Sequence, residues 1–342
     1  MSGRPHHPQR TRSLGAAAVA LLLMLALLVP ASGAPAQRGA GAGYAVDVGE
    51  SWRFTMPERR VKAVLVAGSI GAHRDRPYSR LLQESCANVE IRNLSVVGMG
   101  APQLFTRFRD EVLRNRGVPF GDESMELWLM WNGGLNSAAS STRTNRAIWR
   151  AFVAAHERGM GVVGLTLTPW GELEDRRWRG AAALRTLRST RGIVDFVMGR
   201  STPSEALGSY VSDRDTPDAP WAATELADVR VDLYNSPLRD VDAPPRDPAT
   251  VRTLLERDRT YARSLEALAE SAREARLLSD VGLLSELPRW FVRDAYRGFD
   301  HIHPNREGHA LMARTICPNL PASWGCDCST LPPPGASGED GD

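Results

Sequence analysis

Lysine is nearly absent from this chain. Lys62 is the single lysine among 42 basic residues, and the arginines that make up the rest are scattered and matched by 40 acidic residues. A nucleic-acid-binding surface needs a basic stripe with interleaved aromatic residues, which the sequence lacks, so we expect no nucleic-acid partner. The net charge of +2 favours no other class of partner. The 342 residues, 42% of them hydrophobic, are sufficient for one globular domain with a sizeable core.

Cysteine is also scarce, and the spacing of the four cysteines does not match a zinc site. Cys326 and Cys328 are separated by one residue, whereas zinc-binding pairs are separated by about two to four. The other two cysteines are Cys86 and Cys317. Four cysteines in an exported chain favour disulfide bonds. Their pairing stays open. A bond from Cys86 to one of the three C-terminal cysteines would join the last segment to the first helix.

Residues 14–29 form the one long apolar run. A basic stretch precedes the run, with Arg4, Arg10 and Arg12. Small residues follow it, with an Ala-x-Ala pattern at 34–36. These features predict a cleavable secretory signal over residues 1–36, and therefore a secreted or periplasmic protein. The run is shorter than the roughly 20 residues of a spanning helix. An uncleaved anchor is the alternative, and it would be the chain's one contact with a membrane.

The remaining sequence divides into three segments. Residues 37–60 are predicted to be a linker or N-terminal extension, beginning with a stretch rich in glycine and alanine. The main predicted domain covers residues 61–328 and includes a helical insertion at about 240–298. Residues 329–342 are rich in proline, glycine and acidic residues, which is typical of a disordered tail.

Strand and helix signals alternate through the domain and predict its fold class. Apolar runs typical of buried strands occur at residues 61–67, 89–97, 126–131, 161–168 and 229–233. Helical patterns occur at residues 78–86, 103–116, 144–156 and 248–278. Strands separated by helices of this length pair in parallel through right-handed crossovers, so we expect an α/β sandwich. In such sheets the functional site lies at the carboxyl ends of the strands.

The segment 300–305, with the sequence DHIHPN, contains a candidate acid–base pair. Asp300 precedes His303 by three residues, so its carboxylate can accept the Nδ1 proton and leave Nε2 as a base. His301 is explained more simply as a flanking side chain, and His309 as a helix residue that packs or hydrogen-bonds locally. A metal site made of all four side chains is an alternative, because carboxylate and imidazole are good ligands, although no further ligand cluster stands out.

Further candidates follow the ends of the predicted strands. Ser69 follows the first strand, Gly98 the second, Asn136 the third and Trp170 the fourth. Because these strand ends meet at one edge of a parallel sheet, we expect the four residues to lie near one another.

With these blocks in this order, the chain resembles the SGNH (GDSL-type) hydrolases, a family of esterases and lipases, over about residues 61–316. The resemblance implies a flavodoxin-like α/β/α sandwich with a central parallel sheet. It implies Ser69 as nucleophile, His303 as base and Asp300 as the residue that orients the base. The implied oxyanion-hole donors are the backbone N–H groups of Ser69 and Gly98 and the side chain of Asn136.

The sequence also departs from the family pattern. The usual Gly-Asp-Ser is replaced by Ala67-Gly68-Ser69, and a Ser follows Asn136 in place of the usual Asp. Asn93 retains the family spacing of five residues before Gly98, although Gly100 is close enough to be the alternative donor. On its own, Ser69 could equally cap a helix, and Asn136 or either glycine could serve only a turn. Asn132 lies near Asn136 but lacks the preceding Gly.

The function implied by the resemblance is a secreted serine esterase that hydrolyses a small acyl ester, such as an O-acetyl carbohydrate. Neither a metal nor an organic cofactor is expected. Gly100 and Trp170 are predicted to contact the substrate. Two alternatives remain: acyl transfer on the same scaffold, and a non-catalytic binding protein on a degenerate SGNH fold.

Overall fold

A computed structural model describes residues 52–211 and 219–333 of the chain. The predicted signal, residues 1–36, lies outside the described residues, as do most of the predicted linker and most of the predicted tail. In the described part of the chain, no helix is both long and apolar enough to cross a membrane.

The described residues contain one sheet of five parallel strands in the order β2-β1-β3-β4-β5. The strands are β1 (Val61–Ala67), β2 (Val89–Asn93), β3 (Glu126–Asn132), β4 (Gly161–Leu165) and β5 (Val229–Val231). All seven residues of β1 are buried, because helices cover both faces of the sheet. The predicted α/β sandwich with a central parallel sheet is therefore confirmed.

Helices connect and cover the strands. They are α1 (Tyr78–Ser85), α2 (Ala101–Phe108), α3 (Ser141–His156), α4 (Gly180–Val197), α5 (Pro203–Leu207), α6 (Pro248–Arg257), α7 (Arg259–Leu265), α8 (Glu270–Ser285) and α9 (Arg306–Ile316). A π-helical turn, Arg109–Leu113, continues α2.

The alternating side chains of β1 supply two separate cores. Ala63 and Leu65 belong to the core that includes residues of α1 and α9. Val64 and Val66 belong to the core on the other face, which includes residues of α2, α3 and α4. Successive side chains of a strand point to opposite faces of the sheet, so a strand that is apolar at every position can pack against helices on both faces.

Two helical regions differ from the sequence analysis. The 18-residue helix α4 was not predicted. The helical pattern at 248–278 proves to be three helices, α6, α7 and α8, rather than one. Asp258 ends α6 and caps α7, because its side chain accepts hydrogen bonds from the backbone N–H groups of Thr260 and Tyr261.

The folded region also extends beyond both predicted limits. Trp52, within the predicted linker, is only 4% exposed. Glu90 of β2 accepts hydrogen bonds from the backbone N–H of Thr55 at 2.6 Å and forms a buried ion pair with Lys62 at 2.9 Å. At the other end, Leu331 of the predicted tail is buried, and its carbonyl accepts a hydrogen bond from Arg314 at 3.2 Å. These contacts attach the first segment to the sheet and the last segment to α9.

The cysteines form two disulfides. Cys86, directly after α1, is bonded to Cys326, and Cys317 is bonded to Cys328.

The strand order brings the carboxyl ends of β1 and β3 side by side at the point where the chain reverses its direction across the sheet. In open parallel sheets of this order, ligands bind at that point.

Candidate active site

Ser69 lies in the turn after β1, and this turn has room only for a glycine at position 71. A Cβ atom at Gly71 would lie 2.3 Å from Ser95 Oγ and 2.5 Å from the Cβ of Ala67. Asn93, the last residue of β2, binds the same turn: its Nδ2 donates to the carbonyl of Gly71 at 2.8 Å. The Oδ1 atom of Asn93 also accepts from the backbone N–H of Ser95 at 3.0 Å. β2 ends at Asn93, where this bond forms, and not at residue 97 as predicted.

Ser69, His303 and Asp300 form a continuous series of hydrogen bonds. His303 Nε2 lies 2.7 Å from Ser69 Oγ, across 234 residues of sequence. On the other side of the ring, His303 Nδ1 lies 2.9 Å from Asp300 Oδ2. The structure thus brings together the three side chains that the sequence analysis assigned to nucleophile, base and orienting carboxylate.

Backbone groups of the same loop hold the Asp300 carboxylate. Its Oδ1 accepts from the N–H groups of Ile302 and His303, each at 2.8 Å. Burial on its own would raise the pKa of Asp300, but these N–H groups and the imidazole outweigh it and hold the pKa below its usual value. Asp300 therefore remains a carboxylate well below neutral pH and can keep the Nδ1 proton of His303 in place.

Asn136 lies beside the turn that carries Ser69. Its Nδ2 would be 3.6 Å from a Cβ atom at Gly68, and it donates to the carbonyl of Met99 at 3.2 Å. Gly98 precedes Met99 on the same exposed turn and has a φ of 80°, a conformation that favours glycine. The bond to Met99 therefore joins two of the three turns from which oxyanion-hole donors were predicted, the turns of Gly98 and Asn136.

Gly100 packs between two loops. It is buried, and a Cβ atom there would lie 2.9 Å from the Cβ of Ser137. This close approach explains the glycine by packing, and the contact of Gly100 with a substrate stays a prediction.

Ser137 is a supporting residue that the sequence analysis did not identify. Its Oγ accepts from the backbone N–H of Ala101, the first residue of α2, at 3.0 Å. It also donates to the carbonyl of Gly134 at 3.1 Å, and Thr144 Oγ1 lies 2.9 Å away. The hydroxyl that replaces the usual Asp thus joins the loop of Asn136 to the start of α2. In the sequence, the signal for this supporting role is the serine that directly follows Asn136, the candidate oxyanion-hole residue.

Trp170 lies in the core rather than on the surface. It is 3% exposed, its ring packs edge-on against Trp178 at a centroid distance of 4.8 Å, and the Arg177 guanidinium covers it. Its 3% exposure leaves little of the ring for the predicted contact with a substrate. Trp170 instead supports the loop after β4.

That loop is attached to the segment of the candidate base through His301. The backbone N–H of Gly171 donates to the His301 carbonyl at 2.7 Å. The His301 ring lies between two carboxylates, with Nδ1 3.1 Å from Glu172 and Nε2 2.7 Å from Asp175. Burial acts to raise the pKa of Asp175, but hydrogen bonds from Arg177 and His301 outweigh it and lower that pKa to about 2.

His309 occupies a buried position behind the site. Its Nδ1 accepts from the backbone N–H of Tyr78 at 3.4 Å, and its ring stacks on His73 with centroids 4.3 Å apart. Neither His301 nor His309 joins Asp300 and His303 in a common ligand set. In the residues that the structure describes, no group of three or more His, Cys, Asp or Glu side chains is arranged to hold a metal ion.

The geometry at Ser69 is suited to nucleophilic catalysis. A base within hydrogen-bond distance of a hydroxyl can remove its proton as the oxygen attacks, and a carboxylate behind the base stabilises the imidazolium that forms. Donors beside the nucleophile can stabilise negative charge on a carbonyl oxygen.

No protein-family model matches the sequence, and no curated protein does. Among solved structures, the chain is similar to a GDSL-like lipase from Bacteroides thetaiotaomicron, with 14% identity and a TM-score of 0.41 over 77% of this chain and 89% of that one. It is similar to a member of the lipolytic protein G-D-S-L family from Veillonella parvula, with 12% identity and a TM-score of 0.39 over 75% and 96% of the two chains. It is also similar to an acetyl xylan esterase, with 12% identity and a TM-score of 0.38 over 75% and 97%.

Proposed function

We propose that this protein is a secreted serine esterase of the SGNH type. The observation that carries the proposal is the series of hydrogen bonds from Ser69 through His303 to Asp300. A hydroxyl, an imidazole and a carboxylate in this order are the parts of a nucleophilic hydrolase, and they come from opposite ends of the domain.

In the proposed mechanism, Ser69 Oγ attacks the ester carbonyl while His303 Nε2 takes the hydroxyl proton. Asp300 stabilises the imidazolium. The tetrahedral intermediate collapses as His303 gives its proton to the leaving alcohol, and the acyl group remains on Ser69. A water molecule, activated by His303 in the same way, then attacks the acyl-enzyme and releases the acid and the free serine.

Negative charge on the carbonyl oxygen is stabilised by the backbone N–H groups of Ser69 and Gly98 and by the amide of Asn136. The Asn136 amide has two N–H bonds. One donates to the Met99 carbonyl and orients the amide, so the other can donate to the oxyanion. A donor of this kind contributes about 3 kcal/mol to transition-state stabilisation.

The proposed substrate is a small acyl ester, such as an acetyl group on a carbohydrate hydroxyl. The reaction needs neither a metal nor an organic cofactor. The two disulfides are typical of an oxidising compartment outside the cytoplasm, which supports secretion.

The test is hydrolysis of p-nitrophenyl acetate, butyrate and octanoate by the full chain and by Ser69→Ala. We expect the substitution to lower kcat/KM by about six orders of magnitude, because it removes the nucleophile. The matched control is Ser124→Ala, which removes an exposed hydroxyl close to the start of β3, at the opposite edge of the sheet. It should retain full activity.

A fluorophosphonate probe gives a second readout, because it labels an activated serine whatever the acyl preference. Labelling of the folded chain that is lost in Ser69→Ala supports the proposal. A folded chain that stays unlabelled would indicate a binding protein. Product analysis with an added sugar acceptor separates hydrolysis from acyl transfer.

A further inference from the structure

Phe299 presents an aromatic ring to solvent directly beside the candidate base. It is 90% exposed, the largest exposed fraction among the large apolar side chains that the structure describes. Its ring is nearly parallel to the imidazole of His303, with an interplanar angle of 16° and centroids 5.3 Å apart. One face of the phenyl ring is therefore directed at the imidazole, and the exposure leaves the other side to solvent.

Scattered exposed apolar residues are normal on protein surfaces and need no function. Phe299 differs from them in position, because it immediately precedes Asp300 and its ring lies against the catalytic imidazole of the proposed mechanism. Because His303 Nε2 lies 2.7 Å from Ser69 Oγ, a substrate group that reaches this nitrogen lies on the side of the site where the ring stands. Covering the ring would also remove apolar surface from water, which favours binding.

The chemistry of the proposed reaction decides which part of the substrate meets Phe299. The carbonyl oxygen turns toward the donors at Gly98 and Asn136. The leaving oxygen must approach His303 Nε2, because that atom gives it a proton. The alcohol part of the ester therefore lies on the His303 side, next to the phenyl ring, and the acyl part lies away from it.

We propose that Phe299 is the binding surface for the alcohol part of the substrate, and that this part is a neutral sugar ring. The inference rests on the proposed esterase function. The face of an aromatic ring carries partial negative charge, and the C–H groups on one face of a pyranose carry partial positive charge. A flat, open phenyl face fits such a ring better than it fits a short flexible alcohol, which covers only part of it.

The experiment compares two acetate esters that share the acyl group and differ in the alcohol: acetylated xylotriose and ethyl acetate. We expect Phe299→Ala to raise KM for acetylated xylotriose about threefold to tenfold more than KM for ethyl acetate, the range that an aromatic contact supplies. Phe299→Trp, which keeps an aromatic face, should retain the preference for the sugar ester. The control is Leu278→Ala, which removes another exposed apolar side chain, on α8, and should behave like the wild type.

Three results would overturn the inference: equal losses on both esters in Phe299→Ala, no loss on either, or a wild type that hydrolyses ethyl acetate but not acetylated xylotriose. Equal losses with a displaced pH profile would mean that Phe299 positions His303 instead. Fluorophosphonate labelling of wild-type Ser69 separates the two proposals. If the wild type is labelled and active, any of the three results rejects only the role of Phe299 as a sugar-binding surface. If the wild type is unlabelled and inactive, both the esterase function and this inference are rejected.

Discussion

Three histidines close together in sequence have different environments. His303 bridges Ser69 and Asp300 and is placed to transfer a proton. His301, two residues earlier, lies between two carboxylates and attaches the loop after β4. His309 is buried beneath the site against His73 and Tyr78. The same side chain thus serves as a candidate base, as a loop attachment and as part of the core, according to its neighbours.

The buried His309 should make the protein less stable in acid. Burial, with smaller contributions from His73 and His303, lowers the pKa of His309 from 6.5 to about 3. Between these values the unfolded chain binds the proton and the folded protein does not. The free energy of unfolding therefore falls as pH falls below about 6.5, and at pH 5 the loss from this group is about 2 kcal/mol.

Urea unfolding of the wild type and of His309→Asn at pH 7.5 and pH 5 checks this prediction. Asparagine cannot take up a proton in this range, and its Oδ1 can still accept from the Tyr78 N–H. The stability difference between the two proteins should shrink by about 2 kcal/mol at the lower pH. The same difference at both pH values would show that His309 keeps an ordinary pKa in the folded protein.

At the scale of elements, one carboxylate holds the inserted helices to the rest of the domain. Asp280 of α8 is 1% exposed and accepts from Tyr261 Oη of α7 at 3.0 Å. It also accepts from Arg276 Nε at 2.9 Å and from the guanidinium of Arg188 on α4. Because these partners belong to three helices, the carboxylate fixes how the insertion packs.

Asp280→Asn should lower the free energy of unfolding by about 2 kcal/mol, because three donors lose a charged acceptor at a buried position. The matched control is Glu274→Gln on the same helix. Glu274 pairs with Arg252 at 2.8 Å, but both side chains are exposed, so its loss should cost less than about 0.5 kcal/mol. Equal effects in a urea titration would mean that burial of Asp280 adds nothing.

At the scale of the whole molecule, the C-terminal segment is attached to the region after α1. The backbone N–H groups of Ala87 and Asn88 donate to the carbonyls of Gly325 and Trp324, each at 3.1 Å. The Cys86–Cys326 disulfide lies in the same place and joins residues 240 apart in sequence. The Cys317–Cys328 disulfide spans only 11 residues.

The two disulfides should contribute differently to stability. The entropy that a cross-link removes from the unfolded chain grows with the length of the loop it closes, which gives about 5 kcal/mol for the longer loop and about 3 kcal/mol for the shorter. Replacing Cys86 and Cys326 together by alanine should therefore destabilise the protein more than replacing Cys317 and Cys328. Thermal unfolding of the two double variants compares them, and the reverse order would contradict the entropic argument.

Short-range patterns were enough to predict the sheet and the position of the candidate site. The apolar run of β1 was predicted with its observed bounds, Val61–Ala67, because a strand buried on both faces needs continuous apolar residues. The spacing of Asp300 and His303 predicted their pairing, because a separation of three residues in a tight loop is a local property. The shared edge formed by the carboxyl ends of parallel strands predicted only that Ser69 would lie near Gly98, Asn136 and Trp170. Its place beside Asp300 and His303 was implied by the resemblance to the SGNH hydrolases.

Contacts between distant segments decided what these patterns could not. The cysteine pairing depends on where the C-terminal segment packs, and the burial of Trp170 depends on Trp178 and Arg177. The division of residues 248–278 into three helices depends on caps at single residues, which a helical period does not register. Periodicity reports which face of an element is apolar, whereas the neighbours that cover that face are known only once the chain has folded.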